Sequence, residues 1–124
     1  MFSHIVVGAD DIAAAKRFYD AALGALGYEP GAAMDDRVIY ASPAGILMVT
    51  RPIDGEAASF GNGVTIGLTA PGPAAVEAFH RDGIVAGGRD AGAPGPRAAI
   101  PNSYAAYVRD PTGNKLVAWC TTEG

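Results

Sequence analysis

The chain repeats itself at a spacing of 61 residues, and a duplication this long restricts it to folds built from two copies of one supersecondary unit. His4-Ile5-Val6-Val7 falls on Thr65-Ile66-Gly67-Leu68, and the register persists downstream. Ala14 meets Ala75, Phe18 meets Phe79, Leu23 meets Ile84, and Gly27 meets Gly88. A second correspondence, at spacing 68, sets Ser42-Pro43-Ala44-Gly45 over Asp110-Pro111-Thr112-Gly113. At 124 residues the chain can bury one proper core but not two independent ones, so the copies must share it.

Each copy reads as strand, helix and three strands. Residues 2–8 are rich in β-branched side chains and form a strand. Asp10 or Asp11 can cap a following helix, because a carboxylate accepts from the free N–H groups of the first turn. Ile12, Ala15, Phe18, Ala22 and Leu23 then recur at helical spacing, and Gly24 and Gly27 end the helix. A short edge strand follows Tyr28-Glu29-Pro30, and the strands Arg37–Ala41 and Ile46–Arg51 flank the turn at Ser42–Gly45. After a polar connector the pattern restarts with a strand at Val64–Thr69 and a helix opened by Pro73, which lacks an N–H to leave unpaired. Val76, Phe79 and Gly83 are its inner face. Residues 91–103, rich in Pro and Gly, read as a loop, and Tyr104–Arg109 and Asn114–Cys120 as a hairpin. The expectation is one α+β domain over 1–124, with module one at about 1–52, a linker at 53–62 and module two at about 63–122. Two tandem βαβββ modules would form a curved mixed sheet around a cleft.

Composition narrows the function classes. A net charge of −4 with acids and bases scattered argues against nucleic-acid binding, which needs a basic face. No apolar run is long enough to span a membrane, and Met1-Phe2-Ser3-His4 lacks the marks of a secretory signal. The lone Cys120 cannot form an internal disulfide, so a reducing compartment, the cytoplasm, is expected.

The order βαβββ-βαβββ, the opening His4-Ile5-Val6-Val7 before a helix carrying Phe18-Tyr19, and the closing run from Tyr104 through Asp110-Pro111-Thr112-Gly113-Asn114 resemble the vicinal oxygen chelate superfamily. That group holds glyoxalase I, bleomycin-resistance proteins, fosfomycin-resistance proteins and extradiol dioxygenases, and the likeness covers residues 2–120. It implies a cleft in which two histidines and a glutamate, from the first and last strands of each module, hold a divalent metal. Carried over, those positions are His4, Thr65, Val117 (four residues after the turn glycine) and Val49 (four after Gly45). One imidazole, one hydroxyl and two hydrocarbons fall short of the three or so protein donors a transition-metal site needs, so no metal cofactor is expected. The resemblance also implies a homodimer.

Strand alternation extends the pocket, since side chains two apart share a face. Leu47 and Arg51 would go with Val49, and Lys115 and Trp119 with Val117. Tyr107 would point into the cleft, with Tyr104 and Asn102 at its mouth and Arg97 at the rim. His4 is the one candidate base. The candidate ligand pocket is therefore His4, Leu47, Val49, Arg51, Thr65, Tyr107, Val117 and Trp119, with the structural alternative that its aromatics simply fill the core. His80 reads as surface, Cys120 as buried and inert.

Three functions compete. The first is a glyoxalase/bleomycin-resistance-like protein binding a small, partly apolar or aromatic molecule without metal. The second is a metal-dependent lyase, isomerase or dioxygenase. The third is a non-catalytic dimeric interaction protein. The residues at 49, 65 and 117 favour the first over the second.

Overall fold

The computed structural model describes residues 1–122. Glu123 and Gly124, the last positions of the expected domain, lie outside the described residues. The elements run β1 (His4–Gly8), α1 (Ile12–Gly24), β2 (Ala32–Ala33), β3 (Arg37–Ser42), β4 (Gly45–Thr50), β5 (Ile66–Thr69), α2 (Pro73–Val85), β6 (Arg89–Arg97), β7 (Ile100–Arg109) and β8 (Lys115–Thr121). This is βαβββ twice, an α+β fold. The strands order as β1-β4-β3-β2 and β5-β8-β7-β6, so the second four-stranded mixed sheet repeats the first. In each, the first strand of the module runs parallel to its last strand and the other pairs are antiparallel.

Local chemistry explains the helices. Asp11 is the N-cap of α1, its side chain accepting from the Ala14 N–H at 3.0 Å. Pro73 opens α2, where its missing N–H costs nothing. Ile12, Ala15, Phe18, Tyr19, Ala22 and Leu23 are buried on α1, and Val76, Phe79 and Gly83 on α2. These faces pack on each other and on the sheets as one cluster with Val38, Tyr40, Val49, Ile66, Val108 and Leu116. A Cβ on Gly83 would sit 3.3 Å from Phe18, so the missing side chain sets how closely the helices approach. Each sheet therefore has one face covered by helix and one left uncovered.

One expectation fails outright. Residues 91–103 are not a loop: β6 and the start of β7 form an antiparallel ladder interrupted by shifts between Asp90/Gly92, Gly92/Gly95 and Gly95/Arg97. Pro94 and Pro96 are tolerated because β6 is an edge strand and bulged, where a missing N–H leaves no partner stranded. The first strand of module two also starts later than read, at Ile66 rather than Val64.

Candidate functional site

The registers show which side chains share the uncovered faces. In the second module Gly67 lies beside Val117 and Thr69 beside Trp119, while Tyr107 faces Val117 and Ala105 faces Trp119. Leu116, Ala118 and Cys120 point into the core, as read. Val117, Trp119, Lys115 and Tyr107 are thus brought together on one uncovered surface. Ala105 and Val117 are buried there without joining the central core. Two cations converge on the Tyr107 ring: the Arg97 guanidinium at 5.2 Å and the Lys115 ammonium at 4.9 Å from its centroid. The Trp119 indole Nε1 is buried and has no hydrogen-bond partner among the described residues.

In the first module the expected pocket is corrected. Leu47 and Val49 belong to the core cluster, with Val49 fully buried, and do not share the uncovered face, although Leu47 lines one wall of the cleft that His4 borders. That face carries His4, Val6 and Gly8 of β1 beside Ile46, Met48 and Thr50 of β4, then Ala41, Ile39 and Arg37 of β3. The error is one residue of register. The β3–β4 turn closes with Ser42 opposite Gly45, whereas the β7–β8 turn closes with Arg109 opposite Lys115. Equivalence is fixed by the bonds that end each parallel pair: Ala9 N–H donates to Thr50 O and Ala70 N–H to Trp119 O. Thr50 thus corresponds to Trp119, and Met48, not Val49, to Val117. A slip of one residue moves every side chain to the other face.

The remaining candidates are dispersed. His4 is exposed at the start of β1, its Nδ1 2.8 Å from Ser3 Oγ. It borders a cleft of about 260 Å³ between the unjoined edges β1 and β5, lined by both modules, with Phe2, Ile46, Gly67 and Thr69 among its walls. Thr65 is exposed in the chain leading into β5. Arg51 lies just past β4, donating from Nε to Asp10 O at 3.4 Å, at a second cavity of about 700 Å³ over the uncovered first sheet. Val6, Arg37, Met48, Thr50 and the connector residues Ile53 and Ala57 line that cavity. The connector is tied down by Ala58 N–H donating to Asp10 Oδ1 at 2.8 Å, and by Phe60, which lies against Gly113 with the Arg109 guanidinium 5.3 Å over its ring.

Tyr104, expected at the mouth, faces α2 instead and donates to Glu77 at 2.7 Å, a bond that raises its phenol pKa. His80 is no free surface residue: its Nε2 lies 2.9 Å from Asp90 Oδ1, joining α2 to β6. Asp110, read as a turn residue, is only 2 % exposed. Its Oδ1 accepts from the N–H groups of Thr112, Gly113 and Asn114, and its Oδ2 from Asn114 Nδ2 and from the Tyr19 hydroxyl at 2.6 Å. Burial first, then the Asp110 charge, pushes the Tyr19 phenol well above its ordinary pKa. Asp20 plays the matching part near module one. Burial would raise its carboxyl, but the Gly31 N–H, Lys16 and Tyr40 hold it below the ordinary value. The buried Tyr19 and Asp110 and the half-buried Asp20 serve architecture. The sign in the sequence was weak, since Tyr19 stands next to the periodic Phe18 and Asp110 inside a turn.

Comparison with known proteins agrees with this geometry. A family model of the glyoxalase/bleomycin resistance protein/dioxygenase superfamily matches residues 1–118, and the chain belongs to that superfamily. A glyoxalase/bleomycin resistance protein from Albidiferax ferrireducens T118 is 48% identical, with a TM-score of 0.92 over 96% of this chain and 98% of that one. A glyoxalase-related enzyme from Fulvimarina pelagi is 18% identical with a TM-score of 0.77, over 96% and 86% of the two chains. A lactoylglutathione lyase from Agrobacterium tumefaciens is 21% identical with a TM-score of 0.66, over 96% and 92%. These last two share the fold. No protein of curated function matches the chain.

The superfamily's divalent metal finds a poor donor set here. With the register corrected, the four ligand positions hold His4, Met48, Thr65 and Val117: an imidazole, a thioether, a hydroxyl and a hydrocarbon. Among the described residues no group of three His, Cys, Asp or Glu side chains converges anywhere. These residues do not fit the metal.

Proposed function

We propose that the chain is a glyoxalase/bleomycin-resistance-like binding protein that takes a small, partly apolar or aromatic molecule on its uncovered sheet faces, without a metal. The observation that carries this reading is the content of the four equivalent ligand positions. Met48 and Val117 supply apolar contacts for a ligand's body, and His4 and Thr65 supply two hydrogen-bonding handles. The aromatic surface of Tyr107 and Trp119 beside Val117 fits the same ligand class.

The working form is a homodimer, placed in the cytoplasm. Its support is the pair of free strand edges. β1 and β5 each end a sheet, and the side chains beside them are exposed hydrophobics: Phe2 at 74%, Val6 at 49%, Ile46 at 40% and Val64 at 56%. Such edges and patches are usually covered by a partner. A second copy seated there would wall in the faces that one chain leaves open.

Metal content tests the central claim. Untagged protein, incubated in turn with nickel, zinc, manganese and iron and then desalted, should carry each metal only at background by plasma mass spectrometry. Near-stoichiometric metal that disappears in His4→Ala would overturn the reading in favour of a metal-dependent lyase, isomerase or dioxygenase.

A further inference from the structure

We propose that the uncovered face of the second module receives a small aromatic anion, an aryl carboxylate, with Arg97 and Lys115 holding its charge and Tyr107 and Trp119 its ring. This rests on the reading of the sheet faces as the binding surface and narrows its ligand.

The charges point this way. The protein as a whole is acidic, yet the face defined by Tyr107, Arg109, Lys115, Val117 and Trp119 carries cations and no carboxylate. Among the described residues no ion pair engages Arg97, Arg109 or Lys115. The nearest acid on β6, Asp90, is already engaged by His80 and by the Gly92 N–H at 2.9 Å. Bringing a guanidinium and an ammonium to one ring costs Coulomb repulsion, which the ring quadrupole offsets in part and a bound anion would reverse.

The guanidinium is also seated. Its Nη2 donates to Ala93 O at 2.8 Å, leaving other N–H donors of the fork free. Gly92 makes the seat: a Cβ there would stand 3.0 Å from Tyr107 Cδ1 and 3.3 Å from Arg97 Nη2. The bulges of β6, which bring Gly92 opposite Tyr107, therefore aim a side chain as well as bend a strand. The third feature is the Trp119 indole itself, which shares this face with apolar Val117 and lies opposite Ala105. A carboxylate with an attached ring matches this mixture of two cations and flat apolar surface. A fully hydrated inorganic anion would use only the charges.

Trp119 is the sole tryptophan, so one indole N–H resonance reports on this face. The test titrates 1-naphthoate and its uncharged amide into the full-length protein, following that resonance and the heat of binding, with inorganic phosphate as a third probe. The expected result is that naphthoate moves the indole signal and binds about tenfold or more tighter than the amide, as a charge-assisted contact allows. The gap should narrow as salt is added. Lys115→Met and Arg97→Met should each narrow that gap, and Lys115→Arg should restore it. Equal binding of acid and amide would overturn the anion and leave the reading of the sheet faces as the binding surface standing, as would a gap that neither variant alters. Phosphate as tight as naphthoate would overturn the aromatic part. No response of the indole to either naphthalene compound would overturn the proposal for this face, while the reading of the sheet faces as a metal-free binding surface stands or falls on the metal content.

Discussion

Asp110 shows how a turn residue becomes a structural centre. Five hydrogen bonds converge on its carboxylate from its own turn and from Tyr19 on the other module's helix. A buried carboxylate is tolerable only when its lone pairs are filled in this way. Asp110→Asn puts an amide donor against donors that need an acceptor, and the expected cost is about 2–3 kcal/mol, read as a lower urea midpoint at unchanged slope. The pH dependence has the opposite sign to the common carboxylate case. The folded state raises the Tyr19 pKa, so it binds that proton more tightly than the unfolded chain does. The stabilisation is fully present below the unfolded value of about 10 and is lost as pH rises above it. Unfolding free energies measured from pH 8 to 11 should therefore fall along an alkaline limb that Tyr19→Phe flattens. An unchanged limb in that variant would assign it elsewhere, with the raised Tyr40 the next group to replace.

At the scale of elements, the glycines of the repeat separate by role. Gly27 and Gly88 align in the sequence, but the left-handed backbone falls at Gly27 (φ 99°) and at Gly87 (φ 110°). Gly88 is there for room: a Cβ would stand 2.6 Å from Phe18 Cε1 and 2.8 Å from both Gly83 O and Val108 Cγ1. One of those neighbours is backbone and cannot yield, so Gly88→Ala should cost about 2–3 kcal/mol by thermal or urea unfolding. Gly24→Ala, which meets nothing within 4 Å, is the control and should be neutral or mildly stabilising. The same scale shows what could be read beforehand. Helix faces, a cap at Asp10 or Asp11 and the alternation in β8 were legible, because periodicity and capping are local. The side of β4 was not, since it depends on how many residues the β3–β4 turn consumes before pairing resumes, a matter of two hydrogen bonds. Nor was β6, whose Pro and Gly content normally signals a loop and here marks a bulged edge. The seat of Arg97 depends on that edge, so the most chemically suggestive contact of the second face was out of reach.

For the whole molecule, the question is whether one chain suffices. Its helices pack together and hold the covered sides of both sheets in one core. The uncovered faces and the free β1 and β5 edges are left for something else, and exposed Val6 and Ile46 lie on such a face beside such an edge. If a second copy is that partner, sedimentation at micromolar concentration should give twice the 12.6 kDa chain mass. A lysine at Val6 or Ile46 would place an unpaired charge in the joint, and a centrally buried position of this kind should weaken association by about 100-fold or more. Binding of the small ligand should weaken in step, because each open face would lose its opposite wall. Lys115→Met separates the two effects: it should reduce binding of an anionic ligand while leaving the mass unchanged. A monomeric Val6→Lys that binds as well as the parent would mean that each open face is a complete site, and that the exposed edge serves some other contact.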